Sequence, residues 1–356
     1  MLHHWTRSTK KQLLKKDFNK DALFNQISFL EDFSETSTKR KILLLGASDG
    51  IMDTVRPILY QYAGHIPQDL LVDGGNIKEL NESSFQALYS LALEHQFIPL
   101  IINSDVKPLE CWLNQFNSTK SAVQITYFDE QLPRVTSEGA SASIPWTKQV
   151  QNNPIHTLDL MAYQRHLVYN DALAQSKQLS RKLISLGELN SNIQLSEPIL
   201  RETNVFSFNT SALKQSICLD HANPNPSGLD LSQACQQIRY VGMNEHSQFI
   251  HIFGLSDDFA PNQTAAHSLA QMIWYFLEGF VNSKSDYPLK KSDLISYVVD
   301  IKHTKDNLTF WKSKKSGRWW VEFPGNTSNQ PLIPCTKDDF DACASGEISD
   351  SLLDLF

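Results

Sequence analysis

From Lys41 to about Phe280 short apolar runs recur, each closed by a glycine or a polar residue. Ile42 to Leu45, ended by Gly46, reads as a buried parallel strand. Leu70 to Asp73, Phe97 to Ile102, Ala122 to Phe128, Asn204 to Phe208 and Gln248 to Phe253 read the same way. Between them lie helical patterns at Asp53 to Tyr62, Glu79 to Glu94, Pro108 to Phe116, Tyr169 to Leu186, Leu229 to Tyr240 and Ala265 to Phe280. In the second of these, Leu80, Ala87, Leu88, Leu91 and Ala92 share one face at helical spacing. The last is apolar nearly all round and is expected to be buried. Strands alternating with helices predict an α/β domain with a mostly parallel sheet covered on both faces. Ligands of such sheets sit beyond the carboxyl ends of the strands, where Asn103, Asp129, Asn209 and Asp257 fall.

After about Tyr287 the pattern changes. Asn307 to Trp311 and Arg318 to Phe323 are β-rich and are joined by Lys-Ser-Lys-Lys-Ser-Gly, which predicts a hairpin. The chain therefore divides into an N-terminal extension (1–39), an α/β domain (40–286) and a C-terminal hairpin with its tail (287–356). Trp319 and Trp320 are consecutive on a strand and point to opposite faces. The tail from Pro331 is expected to cover one of those faces. Trp311, Trp319 and Trp320 are interface candidates wherever they stay uncovered, because aromatic anchors carry much of an interface's energy. Covering a sheet edge or a helix face is the structural alternative.

The chain has 356 residues, 41% hydrophobic and 20% charged, which is enough apolar material for a substantial core. A formal net charge of −7 argues against nucleic acid as the main partner. The five cysteines are scattered without CxxC spacing, which argues against a disulfide framework or a zinc site and fits a reducing compartment. Basic residues near the start have no apolar run behind them, and Ser268 to Phe280 is too short and interrupted to span a bilayer. A cytoplasmic protein without membrane insertion is expected. Gly46 to Gly50 lacks the lysine and spacing of a phosphate loop.

The chemistry lies at the strand ends. Val205 to Phe208 runs into Asn209-Thr210-Ser211, and a turn-rich loop, Asn223-Pro-Asn-Pro-Ser-Gly-Leu229, follows. This layout resembles the ureohydrolase superfamily of arginase, agmatinase and formimidoylglutamase. The resemblance implies a three-layer α/β/α arginase-like fold, here with a C-terminal β-hairpin extension. In that family two manganese ions are held by two histidines and four aspartates at three strand ends. This chain carries Val106 at the first histidine position, after Asn103-Ser104-Asp105. Asp129 is kept, but Gln131 and Pro133 stand in the next two positions, and Asn209 and Ser211 replace the last two aspartates. Paired divalent ions need an anionic oxygen cage. One carboxylate leaves roughly three charges uncompensated, and desolvating even one unpaired charge costs several kcal/mol.

The expectation is therefore no metal cofactor, with manganese in a rearranged site, recruiting Glu130, Asp105 or Asp258, as the alternative. Asp105, Asp129, Gln131, Asn209, Ser211 and Asp258 are the ligand-pocket candidates. Each also has a plain structural reading: Asp129 as a loop cap, Asn209 and Ser211 as turn formers, Asp258 as a solvated loop acid. His221, His251 and His267 show no metal-binding spacing and read as structural.

The resemblance extends to Glu197-Pro198-x-x-Arg201, Arg239 to Gly242, Ala270 to Phe280, Arg318-Trp319-Trp320 and Pro334-Cys335, which match a divergent bacterial formimidoylglutamase-like branch. Two functions from different classes follow. One is a non-catalytic member of the fold acting through a protein partner or a small-molecule ligand, with homo-oligomer formation possible. The other is a metal-dependent C–N hydrolase of a linear amidine.

Overall fold

A computed structural model describes residues 5–33, 39–46, 50–119, 122–133, 150, 156–218, 225–255, 263–287, 289–300, 307–323 and 332–353. Two sheets organise it. The larger has ten strands: β1 (Thr6–Arg7), β2 (Ser28–Phe29), β3 (Lys41–Gly46), β4 (Leu71–Ile77), β5 (Phe97–Ile102), β6 (Gln124–Phe128), β7 (Thr157–Tyr163), β8 (Lys182–Ser185), β9 (Val205–Asn209) and β10 (Phe249–Phe253). Their order is β1-β4-β3-β5-β10-β9-β6-β7-β8, with β2 also on β4. Every pair is parallel except β1 with β4. The predicted strands all form, because Leu, Ile and Phe at successive positions can be buried only where both faces of the sheet are covered.

Helices supply that cover. One apolar layer joins Ile42, Leu44, Leu100, Phe206, Phe208 and Ile250 to the helices Ile51–Leu59, Leu231–Gly242 and Gln263–Val281. The other joins Leu43, Leu45, Ile101, Tyr127 and Phe249 to the helices Glu82–His95 and Lys107–Thr119. Leu43 and Leu44 thus face opposite layers, as the alternation of side chains along a strand requires. Asn81 caps the helix Glu82–His95 through a side-chain bond from the Ser84 N–H at 2.9 Å, and Gln96 ends it at φ +55°.

Two elements depart from the sequence reading. The helix expected over Tyr169 to Leu186 is shorter, Asn170–Leu179, and gives way to β8 and the helix Leu186–Ser191. β7 was not anticipated, since Asp159 sits in the middle of an otherwise apolar run. That carboxylate is fully buried and paired with Arg181 at 2.8 and 3.1 Å. The pair offsets a burial that would otherwise be prohibitive.

The segment before Lys41 contributes β1 and β2 to the sheet edge rather than only preceding it. Buried Arg56 ties the end of β4 together, bonding Asp73 (3.1 Å), Asn76 (2.6 Å) and the Gly75 carbonyl (2.7 Å).

The hairpin is part of a four-stranded antiparallel sheet in the order β11 (Leu294–Asp300), β12 (Asn307–Ser313), β13 (Trp319–Glu322) and β14 (Ile333–Cys335). Trp319 and Trp320 point to opposite faces, and both are buried. Trp319 stacks on Phe340 of the tail helix Lys337–Ser345 at 4.7 Å. Trp320 lies on the guanidinium of Arg201, 4.7 Å from its ring centroid. Arg201 also donates to the carbonyls of Trp319 (3.0 Å) and Cys335 (3.1 Å) and to Glu197 (2.6 Å). Motifs far apart in sequence thus meet in one buried joint. Trp320 is fully enclosed and Trp319 is 6% exposed, so the two interface candidates pack mainly within this chain. Trp311 is partly buried, donates to Glu322 at 2.8 Å and lies under the Lys291 ammonium.

Candidate functional site

The carboxyl ends of β5, β10, β9 and β6 lie side by side, and their exits carry Asn103, Gly254, Asn209 and Asp129. Asp129 is the centre. One carboxylate oxygen accepts from the Tyr127 hydroxyl (2.9 Å) and the Asn209 amide (2.8 Å). The other accepts from the Gln131 backbone N–H (3.1 Å) and the Ser211 hydroxyl (3.2 Å). Four neutral donors therefore surround one carboxylate. Burial pushes the Asp129 carboxyl above the usual aspartate range, and the bonds from Gln131, Asn209, Tyr127 and Ser211 pull it back.

Asn209 is held on both sides. Its carbonyl oxygen accepts from the Ser211 N–H at 3.0 Å, and its amide donates to Asp129. Gly254 makes room for it: the glycine has φ +98°, and a Cβ there would lie 2.0 Å from the Asn209 Oδ1. The buried Thr210 hydroxyl beside it has no hydrogen-bond partner among the described residues.

A second polar group spans the exits of β6 and β7. Glu130 is buried, and its carboxylate accepts from Asn225 at 2.8 Å. Asn225 also donates to Gln164 (3.1 Å), which donates to the Ser227 carbonyl (3.0 Å). Burial raises the Glu130 carboxyl; the bond from Asn225 opposes this, and the charge of Asp129 adds to it. Alongside opens a cavity of about 430 Å³ lined by Tyr163, Gln164, Arg165, His166, Glu188 and Ser227, among others. Ala162, at the irregular end of β7 between these groups, has φ +69°. A left-handed alanine costs on the order of 1–3 kcal/mol, and such strain clusters at functional sites.

Beneath the strand ends, Asn103 bonds His251 at 2.6 Å, and the other ring nitrogen of His251 meets Ser207 at 3.1 Å. Burial lowers the His251 pKa to about 3, so the imidazole is neutral. It is a core residue, in keeping with the structural reading of the sequence.

The sequence candidates divide accordingly. Asp129, Asn209 and Ser211 come together through side chains, and Gln131 joins them through its backbone while its side chain is exposed. Asp105 is exposed and binds the Lys107 N–H at 2.6 Å, holding the start of the helix Lys107–Thr119. Val106 packs against the apolar layer, and Pro133 is buried. Asp257, Asp258, His221, Asn223 and Pro224 lie outside the described residues. Tyr127, Asn225 and Gln164 were missed. Tyr127 reads as a strand aromatic, and nothing in the sequence announces that its hydroxyl reaches two residues ahead.

This chain has an arginase/formimidoylglutamase-like fold, that of the ureohydrolases. The formimidoylglutamase of Bacillus subtilis superposes with a TM-score of 0.64 at 16% identity, over 79% of this chain and 98% of that one. A Trypanosoma cruzi formiminoglutamase with Mn²⁺ gives 0.62 at 15% identity, over 74% and 100%. An arginase superfamily protein from the same organism gives 0.62 at 14%, over 74% and 98%. No family model matches the sequence, and no curated protein does.

The neighbours correct one expectation. The sequence led to no cofactor, whereas a solved structure with this fold, the Trypanosoma cruzi formiminoglutamase, carries Mn²⁺, so manganese belongs in any test of activity. The side chains described around Asp129 do not fit a pair of such ions. They offer one carboxylate, its oxygens already taken by four neutral donors, and no cluster of three or more potential ligands occurs among the described residues.

Proposed function

We propose that this protein is a non-catalytic member of the ureohydrolase fold that works by binding a small polar ligand or a protein partner at the carboxyl ends of its strands. The observation that carries this reading is the donor cage around Asp129. In a hydrolase of this fold the strand-end groups would need to hold metal and activate water. Here Asn209 and Ser211 fold inward to satisfy Asp129, an arrangement that orders a polar pocket without supplying a base or a nucleophile. The cavity lined by Gln164, Arg165, His166 and Ser227 offers room and polar groups for a small molecule. Trp311 is the remaining aromatic candidate for a protein contact, including self-association.

A cytoplasmic setting fits the five cysteines, all free and buried. No helix among the described residues is long and apolar enough to cross a membrane.

The test is hydrolysis of formimidoylglutamate, arginine and agmatine by the purified chain, with manganese supplied. We expect release of ammonia, formamide or urea no faster than in protein-free controls. Turnover that requires added manganese and is lost in Asp129→Ala would instead establish the second reading, a C–N hydrolase of linear amidines. That reading draws on the activities named for the fold neighbours and on the buried Glu130 next to Asp129.

A further inference from the structure

The opposite, amino-terminal edge of the large sheet carries another cavity of about 430 Å³. Its lining includes Arg40, Tyr89, Leu93, Phe97, Trp112 and Phe116. Small-molecule sites typically span roughly 300–1,000 Å³ and combine apolar walls with a few polar groups. The walls here are aromatic. Trp112 stacks on Phe249 at 4.6 Å, and Tyr89 and Phe116 meet it at 5.2 and 6.0 Å.

Two polar groups in this wall are incompletely matched. The Trp112 indole N–H is buried without a hydrogen-bond partner among the described residues, an uncommon state for a buried donor. Arg40 is partly buried and donates to the main-chain carbonyls of Glu245 (2.5 Å) and Ser247. No ion pair joins it to a carboxylate among the described residues. The nearest acid in sequence to those carbonyls, Glu245, directs its carboxylate to the backbone N–H groups of Asp286 (2.8 Å) and Tyr287 (3.2 Å).

We propose that this cavity binds a small organic carboxylate with an aromatic or branched apolar body, its carboxylate on Arg40 and its body against Trp112 and Tyr89. A charge-assisted bond would add a direct carboxylate partner to a guanidinium on which only the more distant charge of Glu245 acts, and apolar burial would contribute roughly 25 cal/mol per Å². Inorganic phosphate or acetate would meet the charge but leave the aromatic wall uncovered. The cavity is separate from the strand-end site, so its fate does not depend on the function proposed there.

Phenylacetate is a suitable probe for the full chain, with acetate and 2-phenylethanol as the charge-only and body-only controls. Binding is read from the indole N–H resonance of Trp112, assigned with Trp112→Phe. We expect phenylacetate to bind with a Kd below about 1 mM and to shift that resonance, both controls to be at least about tenfold weaker, and Arg40→Gln to weaken phenylacetate about tenfold. Leu93 is 65% exposed at the rim, so Leu93→Asp should fold normally and weaken phenylacetate but not 2-phenylethanol; this variant decides the matter if Arg40→Gln is unstable. An unshifted Trp112 resonance at high probe concentration, equal affinity for 2-phenylethanol, or unchanged phenylacetate binding in Leu93→Asp would overturn the proposal.

Discussion

Asp129 shows how a strand-end carboxylate can be accommodated by neutral donors. The bonds from Tyr127, Gln131, Asn209 and Ser211 offset part of its desolvation. Asp129→Asn would turn an amide N–H₂ toward donors and leave at least one unmatched. We expect a loss of about 1–3 kcal/mol at neutral pH, read from urea midpoints. Because the folded pKa lies above the ordinary value of 3.8, the native state holds this proton more tightly than the unfolded chain does. Its contribution to stability therefore declines as pH rises from 3.8 through the folded value. His251 has the opposite sign. Its pKa falls from 6.5 to about 3, so stability is lost as pH falls through that window, and His251→Gln should flatten the acid limb of a pH–stability curve there. Gly254→Ala should cost on the order of 1–3 kcal/mol from the positive φ alone, more with the clash on Asn209, and thermal denaturation would show it. The residues of this site were legible in part. Asp129, Asn209 and Ser211 stand at exits of apolar runs, whereas the hydroxyl of Tyr127 belongs to a strand position that reads as core.

At the scale of elements, the joint around Arg201 fastens the small sheet to the large one. Arg201→Met removes the bonds to the Trp319 and Cys335 carbonyls and to Glu197, which keeps the Arg318 guanidinium at 3.0 Å. Leaving the buried carbonyl acceptors unmatched in this way costs on the order of 1–3 kcal/mol. The expected signature is faster hydrogen exchange across Asn307–Ser313 with little change in Lys41–Gly46; equal acceleration in both would mean that the joint does not act as a local fastener. The core strands were readable because uninterrupted apolar runs have one stable use in a covered parallel sheet. β7 and β8 were not, since Asp159 and Arg181 break the apolar pattern and pair only after the chain has folded. β1 and β2 span two residues each, and their place depends on β4 and not on any periodicity of their own.

For the whole molecule, fold and site point in different directions. The layered sheet superposes on formimidoylglutamases at 15–16% identity, which shows the architecture and carries no activity with it. The alternation of strands and helices gave the mostly parallel α/β sheet and the family resemblance gave its arginase-like form, while the substitutions at Val106, Gln131, Pro133, Asn209 and Ser211, read against that resemblance, raised the question of the chemistry. How those substitutions arrange themselves was not readable, because the bonds joining Asn209 and Ser211 to Asp129 bridge 80 and 82 residues of chain. The most direct measurement is product release from formimidoylglutamate in the presence of saturating manganese, comparing the native chain with Asp129→Ala. A non-catalytic binding protein predicts the same protein-free background rate for both. Manganese-dependent release by the native chain that disappears in Asp129→Ala would contradict it.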